Sequence, residues 1–324
     1  MKWFQISDKE RKLKPISIFI GARGVGKTYS AISYVLNSGH PFIYLRNTDV
    51  QIQECCTAFG NPFKRWAADH DRDIFIKKEG KHANIYERTG EEIRLLGYAC
   101  ALSTFENLRG IDLSDVNMVL YDEFIEQQPL RFRQYDTFSN FYETVNRNRE
   151  LTGEAALMVL MLSNAQKLDN DILSGYALVP VIENMIRTGQ KEYSRRFLYL
   201  CMAESEVSQL KKETALYQNS EGTAFYDQAI RNEFSNENFT GIRKQPLKEY
   251  KGIAKFDDLF IYEHKSENRL YISQSRCRNV PEYSSSNPYL FIRYFAPKLG
   301  AAYAGGRLYF ESFTIKARII DYII

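Results

Sequence analysis

The feature that most constrains this chain is a glycine-rich octapeptide that directly follows a short apolar run. The run spans residues 16–20, and its β-branched residues indicate a buried strand. Residues 21–28 then read GARGVGKT and fit the pattern G-x-x-x-x-G-K-[ST], and residues 29–36 can continue as a helix. This order of strand, loop and helix predicts a phosphate-binding loop, or P-loop, in an α/β fold.

The residue types in this loop suit a nucleoside triphosphate. Glycines let backbone N–H groups wrap the phosphates, and the helix N-terminus adds positive potential. We expect Lys27 to reach the β- and γ-phosphates and Thr28 to ligate magnesium. The predicted ligands are ATP and Mg²⁺. The predicted nucleotide-binding residues are Gly21, Ala22, Arg23, Gly24, Val25, Gly26, Lys27 and Thr28.

A second apolar run ends in two adjacent carboxylates. Residues 116–121 read as a strand, and Asp122 and Glu123 follow directly. We expect Asp122 to hold the magnesium, and Glu123, on the opposite face of the strand, to polarise the attacking water. A strand that ends in a solvated acidic turn is the alternative. The adjacent pair favours hydrolysis over nucleotide binding alone.

A third apolar run, residues 155–162, is followed by Ser163 and Asn164. If this strand lies between the other two, as in additional-strand ATPases, Asn164 faces the γ-phosphate and can orient the lytic water. The alternative is that Asn164 only opens a turn, a position that asparagine favours.

Residues 132–150 are predicted to be helical and carry Arg147 and Arg149 near their end. Two positions along a helix place these arginines about 200° apart, so only one can point at a given target. An arginine at the rim of an ATPase domain suits an arginine finger, which neutralises transition-state charge in a neighbouring subunit. Cations that favour a helix C-terminus are the alternative.

Length and composition predict a soluble globular protein with two domains, or with one large α/β domain and an appendage. The chain has 324 residues, 44% of them hydrophobic, with a net charge of only +3. The longest apolar run is far shorter than the roughly 20 residues that span a bilayer, and the polar start lacks a signal-peptide core. We therefore expect no membrane partner and a cytoplasmic location. The five cysteines and four histidines show no metal-ligand spacing.

We predict an ATPase domain at residues 1–200, a short helical linker at 201–224 and a smaller α+β domain at 225–324 that binds nucleic acid or a portal. Residues 223–324 carry 15 basic and 11 acidic side chains, and aromatic residues are interleaved among the arginines. A vestigial RNase H-like nuclease fold is one candidate for this domain. Its candidate acids are Asp257, Asp258, Glu263, Glu282 and Asp321, but they do not obviously converge as two-metal cleavage requires.

Four segments, in order and spacing, resemble the DNA-packaging ATPase (encapsidation protein) of phi29-like small podoviruses. They are residues 20–29 (IGARGVGKTY), 121–125 (YDEFI), 147–150 (RNRE) and 162–165 (LSNA). The resemblance covers roughly residues 16–166. It implies an additional-strand, RecA- or terminase-like P-loop ATPase that forms a homopentameric ring on the portal vertex of a procapsid and pumps double-stranded DNA inward.

The resemblance also assigns roles to single positions. Lys27 and Thr28 correspond to phosphate and magnesium ligands, Asp122 to the metal-holding acid and Glu123 to the catalytic glutamate. Arg147 matches the trans-acting finger. Arg109 stands where the family has a second trans-acting basic residue, a lysine, so the charge is kept although the residue type differs. Arg23 also matches a family arginine, and either couples subunits or pairs with a nearby acid.

The predicted function is therefore an ATP-driven packaging motor that acts in the host cytoplasm and transiently at the procapsid portal. The alternatives are a nuclease-bearing terminase large subunit, a helicase-like DNA translocase and a slow nucleotide-dependent binding switch. A water-polarising Glu123 together with a finger at Arg147 favours a translocase over a switch. A structural packaging RNA is a further candidate partner, and the sequence leaves it open.

Overall fold

The computed structural model describes residues 2–80, 82–108, 113–126, 130, 132–147, 149–164, 168, 170–207, 210, 213–219 and 241–323. The chain separates into two compact units. One comprises Met1–Ile172 and Met185–Asn236, and the other comprises Leu173–Asn184 and Glu237–Ile324. Residues 220–240 lie outside the described part, and the domain boundaries stated above stay predictions.

The first unit is built on a mixed sheet. Its order, over the described residues, is β3-β4-β5-β2-β6-β7-β1-β9-β8. Strands β3, β4 and β5 form an antiparallel meander. The strands are β1 (Ile16–Gly21), β2 (Phe42–Arg46), β3 (Asp73–Glu79), β4 (His82–Thr89), β5 (Glu92–Ala101), β6 (Met118–Asp122), β7 (Met158–Asn164), β8 (Glu192–Arg195) and β9 (Leu198–Ala203).

The position of β7 confirms the predicted additional-strand fold. Strand β7 pairs in parallel with β1 on one side and with β6 on the other. Gly21 lies opposite Asn164, and Asp122 lies opposite Leu162. Because these strands are parallel and in register, their carboxyl ends meet at one edge, where α/β folds bind ligands.

Helices α1 (Lys27–Asn37), α2 (Asp49–Cys55) and α3 (Lys64–Asp69) contact strands of this sheet. In α1, for example, Ala31, Ile32 and Val35 are buried at helical spacing. The helices up to residue 219 are α1 (Lys27–Asn37), α2 (Asp49–Cys55), α3 (Lys64–Asp69), α4 (Gln134–Asn146), α5 (Asp171–Gly175), α6 (Val179–Thr188) and α7 (Ala215–Gln218).

The helical prediction over residues 132–150 is wrong at its C-terminal end. Helix α4 stops at Asn146, and Arg147 takes a left-handed conformation with φ of 45°. Arg149 begins a separate 3-10 turn and is buried at 6% exposure. The guanidinium of Arg149 donates to Asn117 Oδ1 at 3.0 Å and to the carbonyl of Ser114 at 2.7 Å. Arg149 is thus a structural arginine, and the predicted 200° separation does not apply.

The second unit holds a smaller sheet in the order β13-β10-β11-β12-β14 over the described residues. Strands β11 and β12 are antiparallel and form a hairpin. The elements are β10 (Tyr250–Phe256), β11 (Leu259–His264), β12 (Leu270–Ser273), β13 (Glu282–Tyr283), β14 (Leu308–Phe310), α8 (Tyr289–Ala304) and α9 (Phe313–Ile319). Within the described ranges, we find no helix with the length and apolar character of a membrane span.

We expect Arg149→Ala to lower the free energy of unfolding by about 2–3 kcal/mol, because buried acceptors would lose their donor. The matched control is Arg133→Ala, whose side chain is 85% exposed and pairs with Asp136. This control should stay within about 0.5 kcal/mol of the wild type. Urea unfolding followed by circular dichroism measures both variants. Equal stability of the two variants would contradict the structural role of Arg149.

Candidate active site

The P-loop has the backbone that its glycines predict. Gly24 and Gly26 have φ angles of 65° and 104°, in the left-handed region that disfavours other residues. A Cβ on Gly26 would also lie 3.4 Å from the carbonyl oxygen of Phe4. Helix α1 begins at the next residue, Lys27. The turn therefore presents backbone N–H groups and a helix N-terminus to the same space.

The ammonium group of Lys27 is held inside this loop. Lys27 is 6% exposed, and its Nζ donates to the carbonyls of Gly21 and Ala22, both at 2.8 Å. The same Nζ donates to Asn164 Oδ1 at 3.2 Å. The structure therefore brings together Lys27 and Asn164, which the sequence places 137 positions apart.

Thr28 and Asp122 form the second contact between distant motifs. The Thr28 hydroxyl donates to Asp122 Oδ1 at 3.3 Å. Asp122 is 5% exposed, and its burial raises the pKa of this carboxyl although the nearby Arg46 cation lowers it. A hydroxyl and a buried carboxylate are the oxygen donors that Mg²⁺ prefers, and a cation beside Asp122 would favour its charged form. These residues therefore fit a magnesium ion.

Glu123 stands just outside the strand, so the predicted placement on the opposite strand face is wrong. Strand β6 ends at Asp122, and Glu123 turns to φ of 53°. Its carboxylate is half exposed and accepts a hydrogen bond from Arg46 Nη2 at 2.6 Å. The Arg46 side chain is 15% exposed and also lies 4.0 Å from Asp122. One guanidinium at the end of β2 thus neutralises part of the charge of both carboxylates.

One cavity of about 780 Å³ is lined by Lys27, Thr28, Asp122 and Glu123, together with residues that the sequence prediction missed. Arg23 and Asn164 line it, as predicted. Tyr29 directly follows the P-loop in sequence, whereas the other missed residues come from segments whose contact with the loop could not be read from the chain. The missed lining residues include Trp3, Gln5, Tyr29, Arg65 and Asp69.

Of the two predicted trans-acting arginines, the structure describes Arg147 but not Arg109. Arg147 is exposed at the end of α4, and it is not among the described residues that line the cavity. This placement is what a finger directed at another subunit requires. Arg109 lies outside the described residues, and its role stays a prediction.

Podovirus DNA encapsidation proteins (Gp16) form the family that matches residues 5–273. The chain belongs to this family. It is 26% identical over 237 residues to the DNA packaging protein of Bacillus phage B103, an alignment that spans 71% of this chain and 67% of the relative. The corresponding protein of Bacillus phage phi29 is 23% identical, with 71% and 65% covered. The alignments thus span about two thirds of these relatives.

Solved structures show the same fold as this encapsidation-family chain. The bacteriophage phi-29 viral genome packaging motor assembly contains a chain with a TM-score of 0.67 and 18% identity, covering 99% of both chains. A chain of the phi-28 gp11 DNA packaging motor has a TM-score of 0.57 and 18% identity, covering 99% of this chain and 97% of that one. The whole described chain therefore has the fold of a packaging-motor subunit.

Four of the five candidate nuclease acids of the second unit are engaged by other groups. Asp258 pairs with Arg318, Glu263 with Lys298 at 2.7 Å and Glu282 with Lys255 at 2.8 Å. Asp257 accepts a hydrogen bond from the backbone of Ser285 at 3.0 Å. Among the residues that the structure describes, we find no cluster of three or more acidic, histidine or cysteine side chains able to hold a metal ion. The geometry gives no support to the nuclease alternative.

The Asp258–Arg318 pair predicts a pH effect on stability. The hydrogen bond from Arg318 lowers the pKa of Asp258 from 3.8 to about 2. A lowered pKa in the folded state stabilises the protein above the ordinary pKa, and this stabilisation is lost as the pH falls toward 2. We expect Asp258→Asn to lower the melting temperature at pH 7, and the difference from wild type to shrink below about pH 4. Asp321→Asn, at an exposed acid of the same unit, is the control. A difference that is independent of pH would contradict the pairing.

Proposed function

We propose that this chain is the subunit of an ATP-driven motor that moves double-stranded phage DNA through the portal into the procapsid. One observation carries the proposal: a member of the encapsidation family brings Lys27, Asp122, Glu123 and Asn164 to the edge of one cavity. These are the parts that phosphoryl transfer to water requires, namely a phosphate cradle, a metal-holding acid, a base and a polar group near the γ-phosphate.

The chain's own residues divide the work of hydrolysis. The P-loop backbone and Lys27 bind the phosphates, and Thr28 and Asp122 hold the metal, which when bound offsets phosphate charge. Glu123 accepts the proton of the attacking water, and Asn164 orients that water from β7. Arg147 of a neighbouring subunit supplies positive charge as the γ-phosphoryl group is transferred.

A finger that acts in trans requires at least one neighbouring subunit, and we propose that the subunits form a homopentameric ring. Its place is the host cytoplasm and, transiently, the portal vertex. A structural packaging RNA is a further proposed partner. Contacts to duplex DNA would be to its phosphates, because a motor that reads bases would stall at preferred sequences. Exposed arginines and lysines of the second unit suit such contacts, for example Arg243, Lys244, Arg276 and Arg278.

The ion pair between Arg46 and Glu123 favours one other candidate, a slow nucleotide-dependent switch. The Glu123 carboxylate is held by the Arg46 guanidinium at 2.6 Å and must leave this partner before it can accept a proton from water. A translocase must release this pair in each cycle, whereas a switch can retain it. The rate of turnover separates the two functions.

We expect Glu123→Gln to reduce ATP turnover about 100-fold or more while magnesium-ATP binding stays nearly intact, because the base is lost and the phosphate cradle is kept. Lys27→Ala should weaken nucleotide binding itself. Equilibrium binding of a fluorescent ATP analogue and steady-state phosphate release measure the two effects. An equal loss of affinity in both variants would count against the assigned roles.

A finger that acts in trans predicts complementation between two inactive variants. Arg147→Ala subunits keep Lys27, Asp122 and Glu123, whereas Glu123→Gln subunits keep the finger. A mixed ring therefore contains sites that combine both intact parts, and mixing should restore part of the hydrolysis. Native mass spectrometry confirms co-assembly. Mixed rings that stay inactive, or full activity of Arg147→Ala alone, would move the finger elsewhere, with Arg109 the next residue to test in the same way.

A further inference from the structure

A buried set of polar side chains lies behind the catalytic carboxylates. We call it the amide network, and define it as Asn47, Tyr121, Gln134 and Asn170, all of them buried. Asn47 is 0% exposed and follows the last residue of β2. Its Oδ1 accepts hydrogen bonds from the Tyr121 hydroxyl and from Gln134 Nε2, the latter at 2.9 Å. Its Nδ2 therefore remains to donate two hydrogen bonds elsewhere.

Both hydrogen bonds from Asn47 Nδ2 go to the turn that carries the catalytic glutamate. Asn47 Nδ2 donates to the backbone carbonyl of Glu123 at 3.0 Å and to Glu126 Oε1 at 2.8 Å. Gln51 Nε2 donates to the same Glu126 oxygen at 2.7 Å. The side chain of Asn47 thus uses its full hydrogen-bonding capacity, and both hydrogen bonds that it donates go to residues 123 and 126.

Gln134, the first residue of α4, also donates a hydrogen bond to this turn. Its Nε2 donates to the carbonyl of Phe124 at 2.6 Å and lies 2.8 Å from the Tyr121 hydroxyl. Its Oε1 accepts from Asn170 Nδ2 at 2.9 Å. The start of α4 and Asn170 are therefore joined to the carboxylate turn by buried hydrogen bonds.

The backbone of Glu123 needs such support. A glutamate with φ of 53° pays a conformational penalty of about 1–2 kcal/mol, which surrounding contacts must offset. The N–H of Glu123 donates to Asp122 Oδ1 at 3.1 Å, and the N–H of Phe124 donates to the Leu162 carbonyl at 3.1 Å. The bond from Asn47 fixes the carbonyl between them. The direction of this turn decides where the Glu123 carboxylate can reach.

We infer that Asn47 is a positioning residue for hydrolysis, which holds the turn at Glu123 so that its carboxylate stays at the mouth of the nucleotide cavity. The inference rests on the proposed function, since it assumes that Glu123 acts as the base. Asn47 is absent from the described lining of the cavity, and it acts through backbone rather than through the nucleotide. Its loss should therefore lower kcat and leave the KM for ATP little changed.

The test is Asn47→Asp, which keeps the size and the accepting Oδ1 but replaces the donating group by an oxygen. That oxygen would face the Glu123 carbonyl and the Glu126 carboxylate. We expect kcat for ATP to fall about 10- to 100-fold, the loss that follows a misplacement of about 1 Å, with KM within about twofold of wild type. Steady-state ATP hydrolysis with phosphate detection gives both constants.

Asn84→Asp is the matched control. Asn84 in β4 is also buried, at 8% exposure, and its Nδ2 donates to Glu79 Oε2 at 2.9 Å and to Tyr86 at 3.0 Å. The control introduces the same buried carboxylate beside another carboxylate, away from the site. It should lower the melting temperature with kcat unchanged. An equal kcat for Asn47→Asp and Asn84→Asp would overturn the inference.

A second variant separates the two acceptors of Asn47. Adding Glu126→Gln to Asn47→Asp removes the repulsion at position 126 but leaves the Glu123 carbonyl without its donor. We expect the melting temperature to recover and kcat to stay low, and this pair supplies the measurement if Asn47→Asp alone does not fold. Recovery of kcat to the wild-type value would contradict the inference. A wild-type protein that does not hydrolyse ATP would instead contradict the proposed function.

Discussion

The site depends on the strand order of the sheet, in which β7 lies between β1 and β6. Without it, the P-loop strand and the carboxylate strand would be neighbours, and Asn164 would have no place at the shared edge. With it, the parallel register sets Gly21 opposite Asn164 and Asp122 opposite Leu162. Lys27 can then donate to Asn164, while Thr28 still reaches Asp122 across the inserted strand. The loop of β1 and the carboxyl ends of β6 and β7 thus converge as the general rule for α/β sheets requires.

Two carboxylates share one guanidinium at this edge of the sheet. Asp122 is buried and Glu123 is half exposed, and the single guanidinium of Arg46 lies beside both. A buried carboxylate without a cation would be strongly disfavoured, so Arg46 stabilises the site in the form that the structure shows. The same pairing restrains the Glu123 carboxylate, and the left-handed turn and the amide network restrain its backbone. Fold stability and the control of hydrolysis therefore rest on shared contacts.

The sequence predicted the parts of the site that local pattern encodes. The P-loop, the strand before Asp122 and the strand before Asn164 each carry their own signature within about ten residues. The α4 C-terminus was misread, because nothing local shows that Arg147 turns left-handed and that Arg149 is needed by the carbonyl of Ser114. Arg46 and Asn47 were missed because the partners named above are 74 to 87 positions away, and only the fold brings them together. The family resemblance singled out Arg147 and Arg109 for trans-acting roles, because a contact between subunits cannot be read from the pattern of one chain.

We propose that nucleotide chemistry at this edge drives movement along DNA. Steady-state ATP hydrolysis by the wild-type chain, titrated with duplex DNA of two unrelated sequences at low and moderate salt, tests this coupling. We expect both duplexes to raise turnover to the same extent and the stimulation to weaken steeply with salt, because the proposed contacts are to phosphates. Turnover that DNA leaves unchanged, or that only one sequence stimulates, would contradict it.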